Sequence, residues 1–197
     1  MDDPQVARLL DWCRRALTGS GEAVCIAIDG HSAAGKSTLA GRLSGVFDVA
    51  LVSVDDFYSV MEDEVRARLS PREGVEYYFD WKRMRDQALI PLLEGRPAVY
   101  RPYDWDTNLL HPQTATVEPA PLVVVEGLFA ARPELMDLIS LTVLVEADPE
   151  IRAERQAERD DEAIWVQRWD KAERYYFDNI RPTATFDIRV AGDAQNR

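Results

Sequence analysis

The sequence predicts an α/β fold of three layers, α/β/α, in which a mostly parallel sheet lies between helices and carries a small helical lid. Three observations predict it. Apolar, β-branched runs recur at Val24–Ile28, Val49–Val54, Leu122–Glu126 and Leu141–Ala147, and near-continuous runs of this kind suit strands buried on both faces. Segments with apolar residues at helical spacing separate them, and such alternation closes a parallel sheet through right-handed crossovers. The first run also ends in a glycine-bounded loop that opens directly into a helix, Gly30-His31-Ser32-Ala33-Ala34-Gly35-Lys36-Ser37-Thr38.

The chain has 197 residues, 46% of them hydrophobic. That is enough for one domain with a sizeable core, and too apolar for disorder. Its net charge of −12 argues against binding nucleic acid or an anionic membrane, so any anion site must be built locally. Cys13 and Cys25 fall on a helix and a strand without zinc-type spacing, and read as small core residues in a reducing compartment. The opening Met-Asp-Asp-Pro is not a basic region followed by an apolar run, and no apolar stretch reaches membrane-spanning length. A cytoplasmic setting is expected.

Val6, Leu9, Leu10, Cys13 and Leu17 repeat at helical intervals, and Thr18 to Gly21 supply turn chemistry. After the first strand and its loop, Leu39, Leu43 and Val46 continue a helix; the run Val49–Val54 then ends in Asp55-Asp56-Phe57-Tyr58. Glu62 to Leu69 reads as helical and Ser70 to Gly74 as a break. Asp80 is placed to cap a helix through Leu93 that Pro91 must kink or shorten. Ala98–Arg101 reads as extended, and most of Pro102–Pro121, with four prolines, as a loop on the substrate side. Asp148-Pro149-Glu150 gives an N-cap, a first-turn proline and an early acid; Ala163–Tyr176 reads as a further helix and Phe186–Val190 as an edge strand.

Residues 30 to 37 match G-x-x-x-x-G-K-[ST]. In this motif glycines turn backbone N–H groups toward a polyphosphate, the lysine reaches its outer phosphates and the serine hydroxyl binds Mg²⁺. The helix start adds unpaired N–H groups and the positive end of a dipole. Asp55 and Glu126 end the second and third strands of the sheet on the same edge, where they can position Mg²⁺ and a nucleophile. Arg152, Arg155 and Arg159 share one helical face, with Glu150, Glu154 and Glu158 in a second stripe. The pattern fits a solvated, salt-bridged helix, and it fits a lid that brings guanidinium groups to a transferring phosphate.

These pieces resemble the uridine kinase branch of the P-loop kinases, whose relatives include phosphoribulokinase and pantothenate kinase. The matching segments are Gly30–Thr38, Asp55–Tyr58, Phe79-Asp80, Tyr103-Asp104-Trp105, Glu126-Gly127, Arg159-Asp160 and Ile180–Asp187, in family order. The resemblance implies a single P-loop NTPase-type kinase domain over residues 1–197, with the phosphate loop at 30–38, a substrate side at about 56–121 and a lid at about 149–170. It implies ATP as donor, Mg²⁺ as cofactor and a small-molecule hydroxyl as acceptor, with the 5′-hydroxyl of uridine or cytidine first. Asp55 would be the catalytic carboxylate. Asp80 would hold ribose-type hydroxyls, Tyr58 and Tyr103 would line the acceptor pocket, Glu126 would support Mg²⁺, and Arg155 and Arg159 would act from the lid.

Two departures stand out. Uridine kinases carry a base-reading histidine where this chain has Asn108, with His111 out of register. A Gly-Arg-Asp segment of the lid is also missing, leaving Arg168 as the nearest replacement. They keep open an acceptor such as pantothenate, a sugar or a polyol. A GTPase-like switch is disfavoured, because the chain has neither Asn-Lys-x-Asp nor Asp-x-x-Gly. Homo-oligomerisation is left open.

Overall fold

A computed structural model describes residues 3–19, 21–158 and 163–192. Helix α1 (Pro4–Leu17) starts where the Asp3 side chain accepts the Gln5 N–H at 2.8 Å and Pro4 fills the first turn. Strand β1 (Val24–Asp29) leads through the glycine loop into α2 (Lys36–Ser44), then β2 (Val49–Ser53). Four short helices follow: α3 (Asp63–Arg66), α4 (Pro71–Tyr77), α5 (Trp81–Met84) and α6 (Ile90–Leu93). Short strands β3 (Ala98–Tyr100), β4 (Tyr103–Asp104), β5 (Leu109–Leu110) and β6 (Ala115–Val117) precede β7 (Leu122–Glu126) and β8 (Leu141–Glu146). Helix α7 (Pro149–Glu158), the long α8 (Ala163–Asn179) and β9 (Ile188–Ala191) complete the fold.

The central sheet runs β2-β7-β1-β8-β9 with every pair parallel. Alternating residues divide the core between its faces. Ile26, Ile28, Val124 and Val143 pack with Leu9 and Cys13 of α1 and Leu39 and Leu43 of α2. Cys25, Ala27, Val123 and Val125 face the opposite way, toward Phe57, Phe129 and Tyr176. Both cysteines are fully buried, as expected, and burial pushes their thiols up to about 11 for Cys13 and about 12 for Cys25. Register matters most at the carboxyl edge. Glu126 lies opposite both Ile28 and Ser53, so the strand ends that carry chemistry finish level.

One local expectation changes and two gain detail. Residues 70–74 are no break; they start α4, because the Ser70 side chain accepts the Glu73 N–H while the Glu73 carboxylate accepts the Ser70 N–H. Gly74 is kept for packing, since a Cβ there would meet the Tyr78 ring at 2.8 Å and Ala172 of α8 at 3.3 Å. Pro91 does not end its helix. The turn before it widens so that the Ile90 N–H bonds the Arg85 carbonyl five residues back, which accommodates a residue with no N–H. Most of the proline-rich 102–121 segment is loop, as expected, with short strands inside it: β4 pairs with β5, and β6 with β3 just before it, both antiparallel.

Candidate active site

Backbone shape builds the phosphate loop. Gly30 (φ 147°) and Gly35 (φ 103°) take conformations that side chains disfavour, and a Cβ on Gly30 would run into the Val145 carbonyl. Ala33 is left-handed as well, at φ 59°, a strained state that only the surrounding contacts hold. Gly35 precedes α2 with no side-chain cap, so the first N–H groups of that helix are suited to an anion. Lys36 curls back across the loop and donates to the Gly30 and His31 carbonyls, each at 2.9 Å.

Beside the loop, Glu126 is 8% exposed and accepts the Ser37 hydroxyl, 3.3 Å from either oxygen, with the Ser53 hydroxyl at 3.5 Å. Burial pushes its carboxyl up, and the charge of Asp55 pushes it further. Asp55 stands on a 3₁₀ turn, Val54–Phe57, that Ser53 caps. Lys36, Ser37, Asp55 and Glu126 all line one cavity of about 570 Å³. Among the described residues no three His, Cys, Asp or Glu side chains cluster as a metal cage. One serine hydroxyl and one carboxylate are nonetheless the hard oxygen set Mg²⁺ takes when phosphates and water complete its shell, so the residues fit that ion.

Tyr58, Tyr103, Trp105 and Trp169 line the far wall of the cavity. The Tyr58 ring stacks near Trp105 (4.7 Å) and Trp169 (5.5 Å) and meets Tyr103 edge-on at 5.1 Å. Burial pushes the Tyr58 hydroxyl up to about 12. Arg66, 2% exposed, lies 4.3 Å over that ring and donates to the Ser59 and Met61 carbonyls and to Asn108 Oδ1, each at 3.0 Å. Asn108 sits at φ 54°; its Oδ1 also accepts from the Tyr103 hydroxyl at 2.7 Å, and its Nδ2 donates to Met61 at 2.9 Å. It lines the cavity, but its amide is taken up by protein partners. Asp80 does not line this cavity. It caps α5 by accepting the Arg83 N–H at 3.0 Å, with the Arg83 side chain 3.7 Å away.

From α7, Arg155 donates to the Ala33 carbonyl at 3.0 Å, and Gln156 joins the cavity wall. Arg159 lies outside the described residues. Arg168, on α8, lies close enough to Tyr78 for its charge to offset part of the rise that burial imposes on that phenol.

Two acids escaped the reading of the sequence. Asp29, fully buried at the end of β1, accepts from the Gly30, Phe129 and Ala131 N–H groups at 2.7, 3.1 and 2.9 Å and from the Tyr176 hydroxyl at 2.8 Å. Burial raises its carboxyl against those bonds. Its place just before the loop glycine was a visible signal. Glu173, 1% exposed on α8, meets His31 Nδ1 at 2.8 Å, the Ser32 N–H at 3.2 Å and the Ser32 hydroxyl. It lies 142 residues from His31, and nothing local in the sequence announces the pairing.

The sequence pattern of the phosphoribulokinase / uridine kinase family matches residues 25–164. A uridine kinase from Deinococcus deserti is 33% identical over 149 residues, 73% of this chain and 72% of its own. A uridine kinase from Streptococcus agalactiae serotype V is 26% identical over 186 residues, 88% of each chain. The structure of a possible uridine kinase from Bacillus stearothermophilus superposes with a TM-score of 0.71 over 96% of this chain and 98% of that one; at 22% identity the likeness is one of fold. By sequence pattern and by identity to its relatives, the chain belongs to the phosphoribulokinase / uridine kinase family.

Proposed function

We propose that the protein transfers the γ-phosphoryl group of ATP to the 5′-hydroxyl of uridine or cytidine, with Mg²⁺. One observation carries the reading: Lys36, Ser37, Asp55 and Glu126 share a cavity whose other end is walled by stacked aromatic rings. Such a wall suits a flat base, and the uridine kinases among the relatives point the same way. The phosphate loop and the Lys36 ammonium hold the donor. Asp55 orients the acceptor hydroxyl and takes its proton as the oxygen attacks the terminal phosphorus; the bond to the bridging oxygen breaks and ADP leaves. Bound Mg²⁺, with Ser37 and Glu126 as its protein ligands, would offset charge on the phosphate oxygens. Arg155 and Arg159 serve the same charge from the lid. Asp80 is kept as the ribose-binding candidate.

Asn108 favours a second reading. Its amide is bound by Arg66, Tyr103 and Met61, which leaves base-edge recognition without the group that stands there in uridine kinases. A kinase for pantothenate, a sugar or a polyol has no need of it. ADP release from Mg²⁺·ATP, and separately GDP release from Mg²⁺·GTP, against nucleosides, pantothenate and sugars tests both. Turnover with uridine or cytidine supports the first reading. Turnover restricted to another hydroxyl replaces it with the second, and hydrolysis without any acceptor overturns both.

A further inference from the structure

Helix α8 grips the donor loop from behind. Glu173 receives His31 and Ser32, and one turn later Phe177 packs its ring on His31 at 4.6 Å between centroids. The next contact is Tyr176 on Asp29, at the root of the loop. From the lid, Arg152 Nη1 comes within 3.9 Å of the same Glu173 carboxylate. Ser32 lines the cavity and Glu173 does not, so the carboxylate stands behind the loop, outside the space a triphosphate would fill.

A buried acid here is costly unless paired. Burial pushes the Glu173 carboxyl up, but the bonds from His31 and Ser32 and the charge of Lys36 outweigh it and leave it below its ordinary value. As an anion it accepts from His31 and Ser32, the two residues just before Ala33, which sits at φ 59°. It also ties those two residues to the lid through Arg152, one turn from Arg155 and its bond to Ala33.

We propose that Glu173 is a positioning residue for the phosphate donor, holding the His31–Ser32 limb in its triphosphate-accepting shape and linking that limb to the lid helix through Arg152. The proposal rests on the donor-site reading above and is indifferent to the acceptor. Removing a charged hydrogen-bond partner of this kind changes affinity by about tenfold or more. In Glu173→Ala, the Kd for Mg²⁺·ATP, measured by calorimetry without acceptor, and the KM for ATP should therefore rise about tenfold, with kcat changed less than about threefold and acceptor KM unmoved. Glu173→Gln keeps an oxygen for the Ser32 N–H but loses the charge, so it should recover only part of the loss and leave the Kd about threefold above the parent's.

His31→Ala should weaken ATP as well, and combined with Glu173→Gln it should cost no more than the worse single variant, because both act on one limb. Should Glu173→Ala fail to fold, the Glu173→Gln and His31→Ala pair decides. A folded Glu173 variant that binds ATP as the parent does overturns the proposal, as does strict additivity with His31→Ala. Parent protein that binds no nucleoside triphosphate overturns the donor-site reading itself, and the two failures are thereby told apart.

Discussion

The two ends of the cavity are made differently. The proposed donor end is one continuous segment, residues 30–38, whose chemistry is mostly backbone: two glycines at positive φ, an uncapped helix start and a lysine folded onto its own loop. The proposed acceptor end is assembled from side chains of α3, the 3₁₀ turn, the β4–β5 hairpin and α8, with the bonded pair Arg66 and Asn108 in its lining. A backbone-made site is written in a short sequence, even though Asp29 and Glu173 brace it through residues far along the chain. A side-chain-made site exists only once distant segments have packed, and it can change its ligand without disturbing its neighbour.

That separation can be broken experimentally. The largest expected effect is in Asp55→Asn: phosphoryl transfer should fall by about 10³-fold while ATP binding persists, measured by single-turnover ADP formation beside calorimetry. An unchanged rate would place the base elsewhere. Arg66→Met strips a donor from two carbonyls and Asn108, and should raise acceptor KM by about thirtyfold while the Kd for ATP holds. Equal loss at both ends would show that the halves are one unit.

Glu126→Gln sharpens the comparison through stability. The folded carboxyl is raised by burial and by Asp55, so ionising it costs stability as pH rises through its folded value; the cost is absent below the ordinary value of 4.5. Without Mg²⁺ the variant should melt several degrees above the parent near neutral pH, the gap closing as pH falls toward 4.5. A constant gap would remove the linkage. Smallest is Ser70→Ala, which loses the α4 capping box: about 1 kcal/mol, or about 2 °C in Tm, with kinetic constants unmoved.

The same contrast explains what the residues disclosed in advance. The strand runs, the sheet class and the donor loop follow from local pattern, and β1, β2, β7 and β8 lie where their β-branched runs are. The helix at 71–77 was legible too, in Ser70-Pro71-Arg72-Glu73, had the capping box been weighed above the turn-forming Pro and Gly. Arg66 gave no such sign, since a basic residue in a polar stretch usually stays solvated, and its burial depends on Tyr58, Ser59 and Met61 folding around it. Asp80 shows the opposite limit. Its residue type suits capping and hydroxyl binding alike; the structure displays the cap, 3.0 Å from the Arg83 N–H.

Asp29 gathers N–H groups from two loops and a hydroxyl from α8, across separations of up to 147 residues. The phosphate loop is short, yet its foundation is among the most non-local contacts in the chain, and contacts of that span form late and slowly. During refolding, secondary structure should therefore return before affinity for triphosphate does.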